Sequence, residues 1–416
     1  MENSFGAWSD CAADLVAVAA GRRPADLVIL GGQLANVHTR EILPWDVAIA
    51  AGRFAYVGPD ASHCIGPDTE VLRWGGYVIP GLCDGHMHVE SGMLTPAEFA
   101  RAVTPYGTTT MFTDPHAIAC GCDPMVALQM ATINTATHFG LERELGSIAP
   151  GRRADVIFTS DLRALPIDRV IARGKTVALE GQITTECPHI DWPATARNTV
   201  HMGAKKSAAE FTIPAPDEGG EVAQVRVIGV VENQAPTQAL QAELPVRGGR
   251  ICGQGDICQI ALVERHRARG TVTNGFVSGF GYRGEMAIAS TVAHDSHHMI
   301  VVGTCAEHMA RAANRLAEVG GGVSVWKDGR ELALVELPIA GLMSDAPAAE
   351  VAAKAEAMVQ AMADCGCHLN NAYMQHSLLA LVVIPDLRIS DLGLVDVRKF
   401  EIVPVVQEGS QEDASA

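Results

Sequence analysis

The sequence predicts a mixed fold, in which an α/β segment is set inside a β-domain made of two separated stretches and an α+β domain follows. Three observations predict it. Residues 25–60 and again 145–175 alternate short apolar runs with glycine turns such as Gly31-Gly32 and Ala51-Gly52-Arg53, the pattern of strands and hairpins. Between them the chain reads strand, helix, strand, the repeating unit of a parallel structure. Beyond residue 200, strands mix with two amphipathic helices at 306–319 and 348–363, as an α+β domain requires.

The elements follow in order. The run from Tyr77 to Asp84 is almost wholly apolar, as expected of one strand buried on both faces. Thr95-Pro96-Ala97-Glu98 combines an N-cap hydroxyl, a proline at the first helical position and a glutamate at the third, so a helix over 97–103 is predicted. A second strand over 108–113 leads into Asp114-Pro115-His116, and Asp123-Pro124 opens a helix over 125–138 that Gly140 stops. Strands are expected at 225–231, 286–292 and 299–302, and the helix at 306–319 should end at Gly320-Gly321-Gly322. No internal repeat of fixed period is present, and residues 408–416 read as a frayed acidic tail. The boundaries expected are a composite β-domain over 25–75 and 145–185, the inserted segment over 76–144, and the last domain over 200–405.

Composition narrows the function. A chain of 416 residues with a net charge of −17 does not suit nucleic acid or an anionic membrane, both of which demand clustered Lys and Arg. A small neutral or cationic ligand fits better. Neither a basic leader followed by an apolar run nor a membrane-spanning window of roughly 18 apolar residues is found, so a cytoplasmic location is expected. Eleven cysteines, an odd number, argue against a disulfide framework. The Cys-x-Cys pairs at 120/122 and 365/367 are too closely spaced for a zinc knuckle and read as structural thiols. Gly248 to Asp256 lacks the flanking elements of a phosphate-binding loop and reads as a plain loop, while Lys205-Lys206 and Arg265 to Arg269 read as solvated charge.

Chemistry concentrates where the first strand ends. His86 and His88 are two residues apart, and at a strand's C-terminal end the backbone can turn both imidazoles onto one divalent ion. A bare His-x-His arises often by chance. Position strengthens it, because Glu90 follows directly and Asp114 and His116 stand at the end of the next strand. A second polar cluster, His294-Asp295-Ser296-His297-His298, has two histidines three apart with a carboxylate between them. It reads either as a substrate-contacting or metal-supporting segment or as a hydrogen-bonded turn between two strands.

These residues resemble the adenine deaminase family of the amidohydrolase superfamily. The resemblance is carried by Val78-Ile79-Pro80-Gly81-Leu82-Cys83-Asp84-Gly85-His86-Met87-His88-Val89-Glu90-Ser91, by Asp114-Pro115-His116, by Gly146-Ser147-Ile148-Ala149-Pro150-Gly151, and by Ala293-His294-Asp295-Ser296-His297 with Ile384-Pro385-Asp386-Leu387 in the last domain. It implies hydrolysis of adenine to hypoxanthine and ammonia. It further implies a divalent metal, Mn or Fe with Zn as the alternative, held by His86 and His88 with Asp114 and His116 on the same rim. Glu90, His294 and Asp295 are the implied catalytic side chains, and a small purine the implied ligand of a homo-oligomeric enzyme.

In fold terms the resemblance implies an α/β plus α+β protein: a composite amidohydrolase β-domain, a fragment of a (β/α)8 barrel and a C-terminal α+β domain. The barrel is expected as a fragment because a full one takes about 250 residues, whereas only residues 78–141 lie between the incoming strand and the return to the β-domain. Ala117 stands where the family usually carries Glu directly after Asp-Pro-His. Two other readings follow: a non-catalytic remnant acting in assembly or binding, and a hydrolase of another cyclic C–N bond, which the adenine-deaminase-like last domain disfavours.

Overall fold

The computed structural model describes residues 8–84, 92–111, 123–186, 190–216 and 220–407, and the chain divides into two compact units. The first holds residues 1–88 and 96–189; the second holds residues 89–95 and everything from 190 onward.

In the first unit a four-stranded sheet runs in the order Arg53–Gly58, Asp46–Ala50, Leu27–Leu30, Glu70–Arg73. A seven-stranded sheet runs Gln182–Ile183, Lys175–Leu179, Arg169–Ala172, Val156–Thr159, Tyr77–Pro80, Gln33–Asn36, Glu41–Leu43. Period-two alternation turns Leu27, Ile29, Val47, Ile49 and Phe54 toward Leu34, Val78, Val156, Phe158 and Ile171, and these side chains form one core. Burying each is worth roughly 1.5–3 kcal/mol. The second sheet is composite because Val156–Thr159 pairs antiparallel with Tyr77–Pro80, so the returning chain closes on the strand that preceded the excursion. Its other face, through Val37, Ile79 and Ile157, packs on Leu128 and Ile133. A helix not foreseen from sequence, Trp8–Ala19, buries Leu15 and Val18 against Val28, Ala48 and Ala55 of the four-stranded sheet.

The apolar run at 77–84 is two strands rather than one. Tyr77–Pro80 joins the seven-stranded sheet, whereas Leu82–Asp84 pairs in parallel with Thr108–Met111, register Asp84 with Met111. Gly81 is the joint, donating its N–H to the Asp155 carbonyl at 3.0 Å. A β-carbon there would lie 2.2 Å from Thr109 Oγ1 and 2.9 Å from Asp155 Cβ, so the close approach requires glycine. Helix Pro96–Val103 connects the pair, and the helix expected over 125–138 is continuous but passes through a π-turn at Met130–Asn134.

The second unit is built on a ten-stranded sheet in the order Ile213–Pro214, Arg250–Ile251, Gln238–Arg247, Val222–Gly229, Val272–Ser278, Cys258–Val263, Met299–Gly303, Met286–Ser290, Gly322–Lys327, Arg330–Glu336. Helix Ala306–Val319 lays Met309, Ala313 and Leu316 on Ala261, Ala287, Met299 and Val301, and Gly320 at φ 82° terminates it as expected. Helix Ala348–Asp364 packs on the last two strands. Gly248 and Gly249, read from sequence as part of a loop, form the two-residue hairpin turn between Gln238–Arg247 and Arg250–Ile251, with φ of 58° and 73°.

Two readings of surface charge are corrected by burial. Arg265 is 1% exposed and Lys206 is 6% exposed. Lys206 Nζ donates to the Gly270 carbonyl at 2.7 Å and to Glu210 at 3.1 Å. Cys365 and Cys367 are buried free thiols, the former pushed up to about 11 by desolvation; Cys120 and Cys122 lie outside the described residues.

His376 is wholly buried in helix Ala372–Leu378, neither ring nitrogen has a hydrogen-bond partner, and desolvation pulls it down to about 3. Because the unfolded chain takes up this proton near pH 6.5 and the native state only near 3, the native fold is not penalised above 6.5. As pH falls through that window the fold loses about 1.4 kcal/mol per unit. Thermal unfolding of His376→Leu should therefore fall less steeply below pH 6.5 than that of the parent; parallel curves would refute this.

Candidate active site

Two parallel strands deliver the polar segments. Leu82–Asp84 ends two residues before His86 and Thr108–Met111 ends three residues before Asp114, and the two strand ends are register partners. Side chains that do chemistry in parallel α/β structures sit beyond the C-terminal ends of such strands. Cys83, on the first strand, is 1% exposed, with its Sγ toward the Gly81 carbonyl at 3.9 Å, and burial pushes its thiol up to about 12. Nitrogen and oxygen donors are therefore what this strand end offers a metal, a set that suits Mn, Fe or Zn. His86, His88, Glu90, Asp114 and His116 themselves lie outside the described residues.

Within the second unit, the stretch that follows Ser91 is anchored. Ser344 donates its N–H to the Met93 carbonyl at 2.8 Å, and Thr95 donates its own to the Ser344 carbonyl at 3.3 Å. Met93, Leu94 and Thr95 are all buried.

The His294–His298 segment is the turn between strands Met286–Ser290 and Met299–Gly303, which pair antiparallel. It is nevertheless unusually well fixed. His294 is 4% exposed, its N–H donates to the Ser377 carbonyl at 3.0 Å, and its ring lies 5.3 Å from that of His297. His297 Nδ1 accepts the Ala293 N–H at 3.3 Å. His298 stands 3.7 Å from Asp391 and 4.7 Å, ring to ring, from His266; burial, then His266, pulls its pKa down. Asp295, next in the chain, is exposed, whereas His294 is buried.

Among the described residues, one group of three potential ligand residues has its donor atoms within 4.8 Å of one another: Glu285, Cys305 and His308. Proton counting removes it as a metal site. His308 Nε2 accepts the Gly329 N–H at 2.8 Å, so a neutral ring keeps its proton on Nδ1 and has no second lone pair to give.

Sequence reasoning missed Arg265, a buried cation bonded to the turn. Its Nε donates to the His297 carbonyl at 2.6 Å, Nη1 to the Thr199 carbonyl at 3.2 Å, and Nη2 to the Ala340 carbonyl at 3.2 Å. The signal was its place two residues after the apolar strand Cys258–Val263, where the chain is still inside the core.

Comparison with known proteins sets the class. The Amidohydrolase family matches residues 117–177, so the first unit is of amidohydrolase type. The Adenine deaminase C-terminal domain matches residues 234–401. An adenine deaminase of Ruegeria pomeroyi is 50% identical, over 97% of this chain and 99% of its own. Those of Paracoccus denitrificans and Moorella thermoacetica are 46% and 32% identical, over 96% and 94% of this chain and 98% of each relative. The chain belongs to the adenine deaminase family. The first alignment extends over 597 positions against the 416 residues here, so that relative holds residues with no counterpart in this chain.

Proposed function

We infer that this chain catalyses hydrolytic deamination of adenine, in which water adds at the ring carbon bearing the amino group, ammonia leaves and hypoxanthine remains. The activity rests on the likeness to adenine deaminases in both units. The location of the site rests on one observation, the parallel pairing of Asp84 with Met111, from which the His86–Glu90 and Asp114–His116 segments continue.

In this reading His86 and His88, with Asp114 and His116, would hold a divalent cation, Mn or Fe with Zn as the alternative, and the two strand ends descend from a (β/α)8 barrel. The cation supplies the positive charge that makes water nucleophilic near neutral pH. Glu90 takes the proton released by the attacking water and passes it to the departing amino nitrogen, so that the nitrogen leaves as neutral ammonia. His294 and Asp295 contact the purine. The proposal extends to a cytoplasmic homo-oligomer, on resemblance alone; among the described residues no helix is long and apolar enough to cross a membrane.

Purified chain grown with Mn or Fe should carry bound metal, measured by plasma mass spectrometry, and should convert adenine to hypoxanthine. Prolonged chelation should remove both. Metal-free protein without turnover under those conditions would favour the non-catalytic remnant. His294→Ala should raise KM for adenine about tenfold, consistent with loss of a hydrogen bond worth ~1.5 kcal/mol, and leave metal content unchanged; an unaltered KM would remove the turn from the binding site.

A further inference from the structure

We propose that Cys305 is a site of reversible oxidation by hydrogen peroxide to a sulfenic acid, with Glu285 and His308 as the side chains that favour it. All three residues lie in the second unit, and the site is independent of the deamination chemistry.

Among the described residues eight cysteines are free thiols, and Cys11, Cys252 and Cys305 are the partly exposed ones. Cys11 packs on the apolar cluster of Leu15 and Val18, and Cys252 Sγ donates to the Arg250 carbonyl at 3.8 Å. Burial pushes the Cys258 thiol up to about 12, away from the thiolate that reacts. Cys305 is the N-cap of the 14-residue helix Ala306–Val319, and its side chain makes no capping bond. The unpaired N–H groups of the first turn stabilise negative charge that develops there.

Two further groups complete the site. Cys305 Sγ, a carboxylate oxygen of Glu285 and a ring nitrogen of His308 lie within 4.8 Å of one another. Thr304 Oγ1 donates to the Gly284 carbonyl and accepts the Met286 N–H at 3.0 Å, which fixes Glu285 beside the N-cap. His308 is 4% exposed, and its Nε2 accepts the Gly329 N–H, so the ring proton sits on Nδ1. That buried N–H has no hydrogen-bond partner. Leaving a buried donor unmade is costly, which points to an acceptor arriving from outside. A sulfenic acid on Cys305 supplies it: the added oxygen accepts the His308 N–H, and its own O–H donates to the exposed Glu285 carboxylate.

The chemistry balances with peroxide as the oxidant. Glu285 takes the thiol proton, the sulfur attacks one peroxide oxygen, and the S–O bond forms as the O–O bond breaks. Sulfur is oxidised and peroxide reduced. The departing hydroxide recovers the proton from Glu285 and leaves as water, and a small thiol returns Cys305 to its starting state.

The test treats full-length chain with hydrogen peroxide, traps sulfenic acid with dimedone and maps the labelled cysteines by peptide mass spectrometry. Cys305 should label about tenfold faster than Cys11 or Cys252, and a thiol reductant added before the trap should remove the label. Glu285→Gln and His308→Gln should each slow labelling of Cys305 about tenfold, the effect of one lost hydrogen bond to a charged group. Glu285 is exposed, so its variant keeps the fold and gives the answer even where His308→Gln does not fold. Labelling of Cys305 no faster than that of Cys11 and Cys252, or unchanged in Glu285→Gln, would overturn the proposal.

Discussion

His88→Ala is expected to lower adenine deamination by more than about 10³-fold, beyond the roughly 10–100-fold that losing a group behind a metal ligand costs, and to release bound metal. The expectation follows from the strand geometry. Leu82–Asp84 and Thr108–Met111 end side by side, so the segments they feed start from one rim. In the proposed ligand set, loss of His88 would leave His86, His116 and Asp114 for the cation, one strong neutral donor fewer. Glu90→Gln separates binding from proton transfer: metal content should hold while kcat falls by about 10²–10⁴-fold, the range for a general acid–base group. Equal metal content and turnover in His88→Ala and the parent would remove this motif from the site.

Gly81→Ala should be the most damaging small change outside the polar motifs, destabilising the fold by about 1–3 kcal/mol as overpacking does. The new methyl would collide with the Thr109 side chain at 2.2 Å and with Asp155 Cβ, at the point where the chain leaves the seven-stranded sheet for the parallel pair. Thr109 lies on the partner strand, so Thr109→Ala should recover part of the loss, whereas Asp155 is pinned by its bond from the Arg173 N–H at 2.8 Å and cannot retreat. A double-mutant cycle by denaturant unfolding should therefore show favourable coupling. Additive losses would mean the contact is relieved elsewhere.

Much of the architecture was legible because the second unit obeys simple periodicities. The helix at Ala306–Val319 and its glycine stop, and strands such as Met299–Gly303, were foreseen from apolar spacing alone. What escaped shares one physical cause, that long-range contacts decide it. Tyr77 to Asp84 is continuous in hydropathy, and only the presence of Val156–Thr159 on one side and Thr108–Met111 on the other divides it at Gly81. Arg265 and Lys206 look like ordinary surface charge until the carbonyls that bury them arrive from residues 199, 270, 297 and 340. The helix Trp8–Ala19 carries only a short apolar stripe, Cys11, Leu15 and Val18, whose partner sheet is assembled from residues downstream of it. At the site, the histidine motif and the His294 cluster were both visible as residues. The bonds that tie the His294–His298 turn and the 339–344 loop to Arg265 were not, because a backbone carbonyl leaves no mark in a sequence.

The most direct measurement is solvent-oxygen incorporation. Full-length chain loaded with Mn or Fe is incubated with adenine in ¹⁸O-labelled water, and product is weighed by mass spectrometry alongside ammonia release. Hydrolysis at the parallel strand ends predicts hypoxanthine carrying one labelled oxygen, one ammonia per product, and loss of both in His88→Ala. Adenine recovered unchanged from metal-loaded protein, or turnover that survives His88→Ala, would contradict it.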